Sequence, residues 1–114
     1  MPISSFISLS TAVANDSNAD LAVAQAVWGL AGKDDLLMAI STSGNSNNVI
    51  YAAIAAKARG ARVVALTGAG GGSLMQYADV CICVPETETY KVQELHLPVY
   101  HFICAELERR FFGL

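Results

Sequence analysis

The run Leu36-Leu37-Met38-Ala39-Ile40 sets the strongest limit on how this chain folds. It is entered from Asp34-Asp35 and left into Ser41-Thr42-Ser43-Gly44-Asn45-Ser46, with no polar residue between. A strand with one wet face alternates polar and apolar side chains. A short continuous apolar run suits a strand buried on both faces, as in a parallel sheet. Val63-Val64-Ala65-Leu66 and Val80 to Val84 repeat the pattern, and the apolar, β-branched stretch from Ile3 to Leu9 supplies a further strand.

Helical segments separate these runs. Asn15-Asp16-Ser17-Asn18 is a polar break whose side-chain oxygens can cap a helix from about Ala19 to Ala31, with Gly32 at its end. Val49, Ile50, Ala53, Ile54 and Lys57 follow helical spacing, and Gly60 closes that helix. Thr67 to Ser73 is a glycine-rich loop, Ser73 to Tyr77 a short helix, and Pro85 to Thr89 a turn. Tyr90 to about Phe111 reads as a long final helix interrupted by Pro98. Alternation at this spacing predicts a three-layer α/β/α sandwich around a parallel sheet, with right-handed crossovers. At 114 residues, 1–114 forms one domain.

Composition narrows the function. The chain is 54% hydrophobic and 15% charged, which supports a buried core and excludes a disordered chain. Net charge is -3 and the seven Lys and Arg are scattered, so nucleic acid is not an expected partner. No apolar run approaches the ~18–20 residues of a membrane span, and Met-Pro-Ile-Ser-Ser lacks a basic signal-peptide start. The expectation is a soluble cytoplasmic protein without a membrane partner. Of three cysteines, Cys81 and Cys83 alternate onto one strand face. Cys-x-Cys can bind metal, but no second Cys/His pair stands at zinc-site spacing, and buried thiols are the reading preferred.

Ligands of open parallel sheets bind beyond the carboxyl ends of the strands. The serine loop lies there, between a buried strand and a helix N-terminus, where free N–H groups and the helix dipole favour an anion. Ser41, Thr42, Ser43 and Ser46 add four hydroxyl donors, and Gly44 lets the backbone come close. A simple helix cap by Asn45 or Ser46 is the plainer alternative. The loop lacks the Gly-Lys-Ser/Thr ending of a Walker motif, so a monophosphate fits better than a nucleoside triphosphate. Thr67-Gly68-Ala69-Gly70-Gly71-Gly72-Ser73 invites a dinucleotide reading. Ser73 takes the place of the third glycine, however, and no acidic residue follows at the end of the next strand. Flexible turn glycines, and no nucleotide cofactor, are expected. The last helix carries Gln93, Glu94, His96 and His101, and a lone helical histidine is more often structural or exposed than catalytic.

The sequence resembles the SIS (sugar isomerase) domain family, in its phosphoheptose isomerase branch, over nearly its whole length. The resemblance rests on Ala14-Asn15-Asp16, on Asp35 through Ser46, on Leu66-Thr67-Gly68, on Ala78-Asp79-Val80, and on Val92-Gln93-Glu94-Leu95-His96 with His101. It implies a flavodoxin-like fold and interconversion of sedoheptulose 7-phosphate and D-glycero-D-manno-heptose 7-phosphate. It also implies that Asn15 and Asp16 touch the sugar, and that Ser41, Thr42, Ser43 and Ser46 hold the phosphate. Gln93 would contact substrate. His101 would be the catalytic acid/base, suited to moving a proton between adjacent carbons through an enediol. In metal-binding members Gln93 and His101 would also ligate zinc.

Family members normally begin with a helical segment and an Asn-Gly-Gly-Ser loop. That region supplies a catalytic glutamate, a further zinc histidine and part of the phosphate site. The chain starts at the first matching strand, so it is expected to be the C-terminal portion of a typical member. Trp28, Tyr100, Phe102, Phe111 and Phe112 could then feed a homo-oligomer interface, a tetramer by resemblance, although Phe102 is expected in the core. Competing with the isomerase are a non-catalytic module that binds a protein partner, as in the replication-initiator-associating branch, and a sugar-phosphate sensor.

Overall fold

The computed structural model describes residues 19–113. The strand expected at Ile3 to Leu9, the loop from Ala12 to Asn18, and with them Asn15 and Asp16, lie outside the described residues. A short 3-10 turn at Ala19–Leu21 leads into helix α1 (Ala22–Leu30), followed by β1 (Leu36–Ile40), α2 (Asn47–Ala58) and β2 (Arg62–Thr67). A 3-10 helix at Ser73–Tyr77, strand β3 (Val80–Cys83) and the long helix α3 (Thr89–Phe112) complete the order.

The strands are parallel in the order β1-β2-β3. Leu37 pairs with Val63, Ala39 with Ala65, and Ala65 in turn with Cys81. Side chains alternate across a strand, so Leu37, Ala39, Val63, Ala65 and Cys81 share one face. That face packs on Ala52, Ala53 and Ala56 of α2, with Val27 of α1 and Leu74 in the same core. Alanines on α2 keep its backbone close to the sheet, and α1 lies alongside α2. Helix α3 makes its deepest contact beyond the carboxyl end of β2, where Val92 and His96 are buried. This is the α/β sandwich with a parallel sheet that the alternation of elements predicts.

Three expectations change. Helix α3 is not interrupted: it runs for 24 residues with Pro98 inside it. Proline removes its own N–H donor, and here the hydrogen bonds on either side carry the helix through. Phe102 is not core but 70% exposed, because α3 buries only its first turns and leaves Phe102, Phe111 and Phe112 outward. The thiols are not all buried. Cys81 is half-buried, whereas Cys83 and Cys104 are exposed. Cys83 is the last residue of a strand at the edge of the described sheet.

Candidate functional site: the serine loop and its buttress

The serine loop leaves β1 at a buried residue. Ser41 is 4% exposed, and its N–H donates to the Leu66 carbonyl at 3.0 Å, extending the β1–β2 ladder by one step. Its hydroxyl works inside the loop, accepting from the Gly44 N–H at 3.1 Å and lying 3.0 Å from the Ser46 hydroxyl. The Ser43 hydroxyl accepts from the Asn45 N–H at 3.0 Å. Ser43 itself is exposed, while Thr42 and Ser46 are partly so. Four hydroxyls therefore divide into two tasks: Ser41 braces the loop, and Thr42, Ser43 and Ser46 stand where a ligand can reach them.

Ser46 precedes α2 in extended conformation and makes no side-chain capping bond. Its carbonyl accepts from Val49 and Ile50. The plainer alternative, Asn45 or Ser46 used up as a helix cap, is not what the loop does, since Ser46 makes no capping bond and Asn45 Oδ1 accepts from the Ser73 N–H. The first N–H groups of a helix have no partner within it, so the start of α2 presents donors beside the loop hydroxyls. The charged side chains with described partners are occupied elsewhere. Lys57 pairs with Asp79, Lys91 with Glu88, and Arg109 and Arg110 with Glu106, while Arg59 lies 5.2 Å from the Trp28 ring centre. An anion at the loop would be held by hydroxyls and backbone.

Behind the serine loop stands the glycine-rich loop, in which Gly68, Gly71 and Gly72 are packing residues while Gly70, with positive φ and open space around it, is the turn glycine expected. Gly44 has φ +72°, and a Cβ there would lie 2.1 Å from the Gly71 carbonyl oxygen. The two loops are also bonded together. Gly68 N–H donates to the Thr42 carbonyl at 2.9 Å, Leu74 N–H to the Gly44 carbonyl at 2.8 Å, and Ser73 N–H to Asn45 Oδ1 at 2.9 Å. The turn after β3 joins the same layer, with Ala69 N–H donating to the Glu86 carbonyl at 2.9 Å. The close approach expected of Gly44 thus serves the neighbouring loop, and its value is rigidity of the hydroxyl cluster.

Helix α3 holds the remaining candidates. Gln93 and His101 are both exposed, and the His101 ring meets Tyr100 edge-on at 5.3 Å. His96, given no role of its own above, is the buried histidine of the helix. Its Nε2 lies 2.8 Å from the Thr67 carbonyl oxygen, and its Nδ1 is buried without a hydrogen-bond partner. Its i,i+4 spacing from the equally buried Val92 is the sequence signal that marks it as inward. Among the described residues no group of three or more His, Cys, Asp or Glu side chains gathers for a metal. Gln93 and His101 are two donors where a zinc site takes three or four from the protein, so the described residues do not by themselves build one. No described helix is long and apolar enough to cross a membrane.

A parallel α/β sheet with a serine-rich loop between β1 and a helix N-terminus is an arrangement suited to an anion at the carboxyl end of the sheet. The SIS domain model matches residues 6–105, and the chain belongs to that family. It is 42% identical over 106 residues to a phosphoheptose isomerase of Akkermansia muciniphila, covering 93% of this chain and 56% of the relative. It is 45% identical over 107 residues to the phosphoheptose isomerase of Thiobacillus denitrificans, covering 91% and 54%. The chain spans about half the length of the curated relatives it matches. Among solved structures it is similar to a phosphoheptose isomerase from Neisseria gonorrhoeae, with TM-score 0.88 and 38% identity over 92% of this chain and 60% of the other. A phosphoheptose isomerase from Francisella tularensis gives TM-score 0.86 and 32% identity over 90% and 56%.

Proposed function

We propose that this chain is the sugar-phosphate-binding part of a phosphoheptose isomerase, converting sedoheptulose 7-phosphate to D-glycero-D-manno-heptose 7-phosphate. The observation that carries the reading is the braced serine loop, in which Ser41 is buried and bonded within the loop while Ser43 is exposed and Thr42 and Ser46 are partly exposed beside the start of α2. Relatives named phosphoheptose isomerase at 41–46% identity support the substrate class. Thr42, Ser43 and Ser46 donate to phosphate oxygens, joined by N–H groups at the helix start. Asn15 and Asp16 orient the sugar, and Gln93 contacts it.

Aldose–ketose exchange moves a proton between adjacent carbons. His101 takes that role as acid/base on α3, because imidazole exchanges protons near neutral pH. The protein works in the cytoplasm as a homo-oligomer, with the outward aromatics Phe102, Phe111 and Phe112 available for subunit contact. A non-catalytic module that binds a sugar phosphate is the second reading. It is favoured by the exposure of Gln93 and His101 on α3, which the described residues do not enclose in a site.

NMR of sedoheptulose 7-phosphate incubated with the chain in deuterated water separates the two readings. Isomerisation with deuterium entering the product supports the enzyme. Binding without turnover leaves the module, and absence of binding removes both.

A further inference from the structure

The Cys-x-Cys of β3 takes no part in the proposed function, yet its geometry is that of a site. The register pairs Ala65 with Cys81 and Thr67 with Cys83, so both thiols and the Thr67 hydroxyl project from one face. The two sulfurs are 3.6 Å apart. Thr67 Oγ1 lies 3.4 Å from Cys83 Sγ and 3.8 Å from Cys81 Sγ. Three heteroatoms therefore converge, and Cys83 opens the cluster to solvent while Cys81 is half-buried behind it.

Such a pair can close on itself or close around something else. Direct closure needs an S–S length of about 2.05 Å and a Cα separation below about 6.8 Å. Residues i and i+2 of a strand stand roughly 6.6 Å apart, at the edge of that range, and the sulfurs would have to leave their present positions. A bridging atom bonded to both sulfurs needs no such approach, and thiolates prefer soft centres.

We propose that Cys81 and Cys83 form a vicinal-dithiol site that takes a soft thiophilic centre, of the trivalent arsenical class, bridging the two sulfurs. With an organic arsenoxide the chemistry balances without an oxidant. Two As–S bonds form, the As=O bond breaks, and the oxygen leaves as one water carrying both thiol protons. Arsenic stays trivalent. Cys83 is the exposed sulfur and meets the reagent first, and Cys81, whose thiol burial pushes up, closes the ring. Closure is intramolecular, which gives the second bond a high effective concentration. Cys104 lies on α3 and has no thiol partner among the described residues.

The test uses the whole reduced chain with phenylarsine oxide at one equivalent, followed by counting of thiols that react with a chromogenic disulfide. Of the three cysteines, one is expected to remain reactive, and the Cys104→Ser variant is expected to retain none. Cys83→Ser, with folding checked by circular dichroism, should hold the arsenical about a hundredfold or more weaker against a competing monothiol. Three reactive thiols after treatment of the wild-type chain would overturn the proposal. So would equal retention by Cys83→Ser and wild type.

Discussion

His96 ties α3 to the last residue of β2, its Nε2 lying 2.8 Å from the Thr67 carbonyl oxygen with both residues buried. Carbonyl oxygen only accepts, so Nε2 carries the proton. The same carbonyl also accepts from the Val84 N–H at 3.1 Å. One ring thus joins the helix that bears Gln93 and His101 to the strand whose following loop braces Thr42.

Because Thr67 keeps its bond from Val84, losing the histidine donor does not strand the carbonyl. His96→Phe should therefore cost about 1 kcal/mol or less, the net worth of one hydrogen bond. His96→Ala removes the ring and opens a cavity, which should cost about 2–4 kcal/mol. Urea unfolding of both variants checks the order. Equal losses would mean that the hydrogen bond, rather than the packing, is what His96 supplies.

Gly44 and Gly70 separate conformational strain from steric contact. Both have positive φ, but a Cβ at Gly70 meets nothing within 4 Å, whereas at Gly44 it meets the Gly71 carbonyl. Gly70→Ala should cost about 1–2 kcal/mol for the left-handed backbone alone. Gly44→Ala adds a clash to that strain, should cost more, and should also lower sugar-phosphate affinity by disturbing the serine loop. Paired denaturation and binding measurements test this.

Acid should weaken the link between α2 and the approach to β3. Asp79 is held below its ordinary value of 3.8, first by its hydrogen bond from Lys57, then by the Val63 N–H. A carboxylate with a depressed folded pKa contributes stability that is fully present above the unfolded value. That contribution is lost as pH falls below about 3.8 through the lower folded value. Asp79→Asn should be less stable than wild type at neutral pH, and the difference should close on the acid side of that window. Thermal unfolding across pH 2–7 follows both proteins (roughly the carboxylate range and above).

Much of this was legible in the residues, for physical reasons. Leu36–Ile40 has the bounds its apolar run predicts, but it is not buried on both faces: Leu37 and Ala39 pack toward α2, whereas Leu36 and Ile40 are exposed among the described residues. Gly60 has positive φ just past the end of α2, as a helix-closing glycine should. What composition and spacing could not reveal was pairing across the chain. The glycines of 68–72 read as turn residues locally, yet Gly71 and Gly72 pack on Gly44, 27 and 28 residues earlier, and Gly68 packs on the Thr42 and Glu86 carbonyls. Phe102 reads as core by type, but nothing local states that α3 buries only its first turns. Pro98 reads as a break, although a long helix bonded on both sides of it runs through.

The serine loop carries the central claim, and its hydroxyls divide the work unequally. Ser43 is exposed and accepts one internal bond, so Ser43→Ala should lose a charge-assisted contact to phosphate, about tenfold or more in affinity, with stability nearly unchanged. The most direct measurement is a titration of the isotope-labelled chain with sedoheptulose 7-phosphate, following backbone amides. Saturable shifts centred on Thr42 to Asn48, weakened in Ser43→Ala, are the predicted result. Unshifted amides across that loop at saturating sugar phosphate, or shifts confined to another part of the chain, would contradict it.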